Sequence, residues 1–169
     1  MPQNNLNQFK EVFATSASLL AQAPGRLEVL GNHTDYNEGY VLSIAVDCNT
    51  QISFKKIAGT NCQVASPMMG GPIREFDLNN ISQPLPDKDW TNYVRGIIVE
   101  LQNRGHQISA FQALITSNIP LSAGMSSSAS LEMALVTGLD ALFELNIELK
   151  QKALIGQACE NNYIGANTG

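Results

Sequence analysis

The sequence has little basic charge, little cysteine and no long apolar run. Lysine and arginine together number ten against fifteen acidic residues, giving a net charge of -5, and the basic residues are scattered along the chain. A nucleic-acid backbone or an anionic membrane is held by a basic stripe that displaces counterions, so neither is an expected partner and a small molecule is. Cysteine occurs only at Cys48, Cys62 and Cys159, with no Cys-x-x-Cys pair. An odd, widely spaced set argues against a disulfide framework and against a zinc site, and suits a reducing cytoplasm. No stretch is long and apolar enough to span a bilayer. Val12 to Ala23 ends in Ala21-Gln22-Ala23, which imitates a signal-peptidase site, but Lys10 is balanced by Glu11 and the chain reads on without a break, so no signal peptide is expected.

With 44% hydrophobic residues in 169, there is material for one well-buried core, and a single domain over 1–169 is expected. Leu6, Phe9, Val12, Phe13 and Leu19 or Leu20 recur at helical spacing, predicting a helix over Leu6 to Leu20. Ala23-Pro24-Gly25 punctuates, and Arg26 to Leu30 alternates as a half-buried strand. After the polar turn Gly31 to Gly39, Tyr40 to Phe54 reads as a long buried strand. Cys62 to Ser66 and Ile73 to Leu78 suggest a hairpin with a wide Pro- and Gly-containing loop. A helix from Trp90 stopped at Gly105, a strand over Ile108 to Thr116, a helix from near Ser127 and another over Leu149 to Tyr163 complete an α+β domain: a mixed sheet with helices packed on one face.

The stretch around which these elements are organised is Pro120-Leu121-Ser122-Ala123-Gly124-Met125-Ser126-Ser127-Ser128-Ala129-Ser130. Small residues running into a helix start make an anion cradle, because the first N–H groups of a helix lack intrahelical partners and lie at the positive end of its dipole. Gly124 lets the backbone approach closely, and the serines add hydroxyls for phosphate oxygens or for magnesium, a hard cation. No lysine is present, which separates the loop from the Gly-x-x-x-x-Gly-Lys-Ser/Thr phosphate loop. The same residues would also serve as an ordinary serine-capped helix start.

Ala23-Pro24-Gly25-Arg26, His33-Thr34-Asp35-Tyr36-Asn37-Glu38-Gly39-Tyr40-Val41-Leu42, Trp90-Thr91-Asn92-Tyr93-Val94-Arg95-Gly96 and Leu121 to Ser130 together resemble one family. It is the GHMP small-molecule kinases, and within it the galactokinases. The resemblance implies a GHMP-kinase N-terminal domain, like domain 2 of ribosomal protein S5, from a two-domain enzyme that transfers the γ-phosphate of ATP to the anomeric hydroxyl of galactose. By the same resemblance Arg26 is the catalytic cation, and Asn32, His33, Asp35 and Gly169 contact the sugar. Gly124, Met125, Ser126, Ser127, Ser128, Ala129 and Ser130 hold the nucleotide phosphates, Trp90 and Tyr93 lie by the adenine, and Ser128 and Glu160 bind Mg2+. Glu28 and Asn32 stand where family members usually carry asparagine and glutamate, which leaves N-acetylgalactosamine or another hexose as an alternative substrate; a sugar- and ATP-binding sensor without turnover is a further alternative. The chain ends at Gly169, just before the place of the family's catalytic aspartate, so it is expected to be inactive alone.

Overall fold

The computed structural model describes residues 2–31, 39–87, 89–120 and 124–166. In chain order the elements are α1 (Pro2–Phe13), β1 (Leu19–Leu30), β2 (Leu42–Lys56), β3 (Asn61–Ala65), β4 (Arg74–Asp77), α2 (Thr91–Asn103), β5 (Phe111–Ser117), α3 (Ser127–Phe143) and α4 (Leu149–Ala158), followed by a π-helical turn at Cys159–Ile164. The five strands form one mixed sheet in the order β1-β2-β5-β3-β4, antiparallel except where β3 runs parallel to β5.

Strand alternation sorts the side chains onto two faces. Ala21, Ala23, Ile52, Phe54, Cys62, Val64, Phe111, Ala113 and Ile115 point to the main core, where α2, α3 and α4 supply Ile97, Leu101, Leu135, Leu139 and Ile155. These three helices cover one face, as expected. The fourth, α1, departs from that plan by packing on the opposite face, where Phe9 is fully buried with Ala65 and Leu114 beside Val12, Phe13, Ala17 and Ile73. Asn5 fixes its position by accepting a hydrogen bond from the Ser53 hydroxyl and donating to Thr116 Oγ1 at 2.7 Å.

Two boundaries and the burial of one strand depart most from what the periodicity predicts, each for a local reason. The first helix stops at Phe13, because Ala14 takes a left-handed φ of 53°; Ser18 then binds Phe54 O through its N–H at 2.8 Å and its hydroxyl at 3.2 Å, so extended structure begins at Leu19. Pro24 therefore lies inside β1 instead of before it, which is tolerated because β1 is an edge strand whose pairing shifts register between Pro24 and Arg26. Burial along β2 is confined to its second half. From Thr50 onward it pairs with β5 as well as β1, whereas at Leu42 (52% exposed) and Ile44 (49%) it pairs with β1 alone, as a two-stranded ribbon.

Helix and sheet approach closely at Gly138 on α3, where a Cβ would lie 2.1 Å from Phe54 Cε2. Phe54 is itself wedged against Phe111, with ring centroids 6.0 Å apart, so the ring cannot step aside freely. Gly138→Ala should therefore overpack the core and cost about 1–3 kcal/mol. In urea denaturation this appears as a lower midpoint at unchanged slope; an unchanged midpoint would show that this contact is not tight.

Candidate functional site

The site is built where the chain turns into α3. Gly124 has φ 69°, a value that suits a residue without a side chain, and Ser126 sits in the left-handed region at φ 51° and ψ 51°. The Ser126 hydroxyl makes no capping bond, and the first turn of α3 contains no acidic residue. Ser130 N–H is bonded to Ser126 O at 3.0 Å, leaving the N–H groups of Ser127, Ser128 and Ala129 as helix-start donors. The positive end of the α3 dipole is thus presented without a side chain of this turn neutralising it.

Two sets of bonds fasten this turn to the sheet. Met125 O accepts the Arg26 N–H at 3.1 Å, and a Cβ on Gly25 would lie only 2.9 Å from the same oxygen. A side chain at position 25 would push strand and loop apart. Ser130, 2% exposed, donates its hydroxyl to Ala23 O at 2.7 Å and accepts the Thr50 N–H at 3.2 Å, bridging β1 and β2.

A cavity of about 190 Å³ opens beside the same turn. Ser127, Ser128 and Leu131 form one wall, Trp90 and Tyr93 from the start of α2 another, and Met68, Met69 and Ile115 much of the floor. Trp90 and Tyr93 are three residues apart, so both rings fall on one side of α2. The cavity is mostly apolar, with serine hydroxyls and helix N–H groups at its rim, a shape suited to a flat ring with a polar tail.

Behind Tyr93 lies a buried acidic pair. Glu132, one helical turn after Ser128 on α3, is 2% exposed, and its Oε1 has no hydrogen-bond partner among the described residues. Burial, with the charge of Glu160 added, raises its carboxyl from the ordinary 4.5 to about 8, partly offset by the Cys159 thiol. Burial and the charges of Glu160 and Glu132 also push the Tyr93 phenol upward, which puts the Glu160 carboxylate within electrostatic reach of the ring that faces Ser128 across the cavity. Glu160 is 9% exposed and is carried by the π-helical turn, so what reads as one helix over Leu149 to Tyr163 changes geometry at Cys159. Such turns often re-aim a side chain.

Two family models match the chain. Residues 7–56 match the galactokinase galactose-binding signature, and residues 92–169 match the GHMP kinases N-terminal domain. The crystal structure of Lactococcus lactis galactokinase complexed with galactose is 36% identical with a TM-score of 0.90, covering 99% of this chain and 44% of that one. The chain belongs to the GHMP kinases and carries the galactokinase signature. It spans less than half the length of that galactokinase. The fold alone is shared with Methanococcus jannaschii mevalonate kinase (20% identity, TM-score 0.74, 88% of this chain and 47% of that one) and with Streptococcus pneumoniae phosphomevalonate kinase in complex with phosphomevalonate and AMPPNP (19%, 0.68, 89% and 44%).

Within this GHMP domain the site residues expected from sequence fall into four groups, with Glu160 apart on the π-helical turn and not among the residues that line the cavity with Ser128. Trp90, Tyr93, Ser127 and Ser128 line one cavity, with Gly124, Met125, Ser126 and Ala129 in the turn at its edge. Arg26 stands next to that turn through its backbone bond to Met125, with a side chain 53% exposed and Nη2 3.9 Å from Glu28 Oε2. Ser130 belongs elsewhere: both of its bonds go to the strands, which makes it the fastener of the helix. Asn32, His33, Asp35 and Gly169 lie outside the described residues. Sequence reading passed over Glu132, although a lone acid within Ala129-Ser130-Leu131-Glu132-Met133-Ala134-Leu135, four residues after Ser128, is the available signal. It also passed over Met68 and Met69, which carry no signal at all.

The Glu132 carboxyl makes stability pH-dependent. Its folded value of about 8 lies above the ordinary 4.5, so the native state holds a proton that the unfolded chain releases, and its contribution is lost as pH rises from about 4.5 through 8. Glu132→Gln should flatten that decline and leave the mutant more stable than the parent relative to pH 5 when both are measured at pH 8. Denaturation midpoints across this range test it; parallel pH profiles for the two proteins would refute the assignment.

Proposed function

We infer that the chain provides the nucleotide- and sugar-binding part of an ATP-dependent sugar 1-kinase acting on galactose. The observation that carries this reading is the bond from Arg26 N–H to Met125 O at 3.1 Å, which joins the strand of the galactose-binding signature to the turn that opens α3. A reaction that brings a sugar hydroxyl to a nucleotide phosphate needs those two sites side by side.

In the proposed complex the base of ATP enters the apolar cavity against Trp90 and Tyr93, and its phosphates meet the N–H groups and hydroxyls of Ser127 and Ser128. Helix-end donors and the nearby cation of Arg26 suit phosphoryl transfer, in which positioning and charge neutralisation dominate. The Ser128 hydroxyl and the Glu160 carboxylate are hard oxygen donors, and Oε1 of the neighbouring Glu132 is buried without a hydrogen-bond partner among the described residues, which supports assigning Mg2+ to Ser128 and Glu160. When bound, Mg2+ neutralises phosphate charge as it develops. His33, Asp35 and Asn32 are assigned to the sugar hydroxyls. The anomeric oxygen forms its bond to the γ-phosphorus as the bond to the ADP oxygen breaks, and the hydroxyl proton passes to a carboxylate acting as base. Asn32, where the galactokinase pattern has glutamate, supports a second reading in which N-acetylgalactosamine or another hexose is the preferred sugar.

An assay of ADP release with ATP, Mg2+ and each of these sugars tests the assignment. A protein extended at its C-terminus to the length of its relatives should turn over galactose, and the 169-residue chain, which spans 44% of the length of the Lactococcus galactokinase, should be slower by about 10²–10⁴-fold. Equal rates would show that the acceptor lies within the chain; no sugar-dependent ADP release from the extended protein would refute the kinase reading.

A further inference from the structure

The α1 helix meets the sheet through apolar contacts at one end only. Phe9, Val12 and Phe13 seat it against Ala65 and Leu114, but its first two turns carry Asn4, Asn5 and Gln8. Below them, alternation along β2 puts Gln51 and Ser53 on the same face, and Gln51 pairs in register with Thr116. Polar groups between a helix and the middle of a sheet are costly unless each finds a partner. Asn5 and Ser53 obey that rule: the Ser53 hydroxyl donates to Asn5 Oδ1, and Asn5 Nδ2 donates to Thr116 Oγ1 at 2.7 Å and to Gln51 O at 3.3 Å. Gln51 does not. It is 6% exposed, and among the described residues its side-chain carboxamide makes no hydrogen bond.

Gln51 lines a cavity of about 280 Å³ between the start of α1 and the strands β2 and β5. Asn4, Asn5 and Gln8 line it from α1, Asn49 from β2 and Asn118 from just beyond β5, with Pro67 and Met68 as an apolar patch. Asn118 Oδ1 accepts the Asn49 N–H at 2.7 Å, which leaves its Nδ2 group to donate. The side chains of Asn4, Gln8 and Asn49, like that of Gln51, make no hydrogen bond among the described residues. Neither Arg26 nor the turn into α3 contributes to this cavity, and no charged side chain among the described residues lines it.

That lining selects a class of ligand. A phosphate, a carboxylate or an amine would enter without a counter-charge, and an apolar molecule would strand the buried amide. A carboxamide presents a donor and an acceptor side by side, which suits adjacent hydroxyls, each able to donate and accept. No aromatic ring lines the cavity for a nucleobase to stack on, and its volume admits a ligand of one ring.

We propose that this cavity binds a neutral polyol of monosaccharide size, held by Gln51, Asn49 and Asn118 from the sheet and by Asn4 and Gln8 from α1. The site stands apart from the one assigned to the sugar that accepts phosphate, and its occupancy requires no nucleotide. Met68 and Ser117 line both this cavity and the nucleotide cavity, and Met68 Sδ accepts the Ser117 N–H at 3.2 Å, so an occupant bears on the floor beneath the nucleotide.

Proton–nitrogen NMR of the 169-residue chain tests this, with galactose, glucose and myo-inositol titrated separately in the absence of nucleotide and inorganic phosphate as the charged control. The expected result is a saturable shift of the Gln51 side-chain NH2 signal at millimolar concentrations of at least one polyol, and none with phosphate. Gln51→Leu removes the unbonded amide at similar volume and should weaken binding about tenfold, read on the Asn118 NH2 signal. Asn4→Ala, at an exposed position, should leave the fold intact and weaken binding severalfold. If Gln51→Leu fails to fold, Asn4→Ala alone decides. Shifts that never saturate, equal shifts with phosphate, or affinity unchanged in a folded variant would overturn the proposal. Polyol shifts confined to the neighbourhood of Arg26 would also overturn it while leaving the sugar 1-kinase reading in place.

Discussion

Everything functional in this domain depends on the bond set that fastens the first turn of α3 to the sheet. Ser130 bridges Ala23 O on β1 and Thr50 N–H on β2, while Met125 O takes the Arg26 N–H. These bonds are buried or close to the core, where an unsatisfied donor or acceptor costs about 1–3 kcal/mol, so the turn has little freedom to drift. Gly25 is the steric counterpart, since any larger residue there would meet Met125 O. A cavity that is to hold an anion at a helix start needs that start immobile, because its attraction falls off within the first turn.

A second constraint comes from charge. The core places Glu132 and Glu160 in one neighbourhood, with an orphaned Glu132 oxygen. Because burial and the charge of Glu160 raise the Glu132 carboxyl to about 8, Glu132 holds its proton at neutral pH, and a cation placed beside the pair would favour its release.

Much of this was legible in the sequence. The helical spacing of Tyr93, Val94, Ile97, Ile98 and Leu101 gave α2 to within a residue, and the serine loop before Leu131 gave the start of α3, because both are local patterns. The α+β class and the GHMP family followed from motifs long enough to be specific. What could not be read was non-local. That α1 packs behind the sheet depends on Phe9 meeting Ala65 and Leu114, more than fifty positions away. That Pro24 sits within a strand depends on β1 having no neighbour on one side, and that Ser130 is a fastener depends on which carbonyl lies 2.7 Å from its hydroxyl. The partial exposure of β2 follows from where β5 begins to pair, which periodicity along β2 does not reveal.

The sequence contains a single tryptophan, Trp90, and it lines the cavity assigned to the nucleotide. Its fluorescence therefore reports on that cavity without labels. Titrating the chain with ATP and Mg2+ while following Trp90 emission, beside calorimetry on the same samples, tests the central claim most directly. The account predicts a saturable change whose midpoint coincides with the calorimetric one and which is lost when Ser128 is replaced by a bulky residue. Calorimetric binding with no change in Trp90 emission would place the nucleotide elsewhere and contradict it.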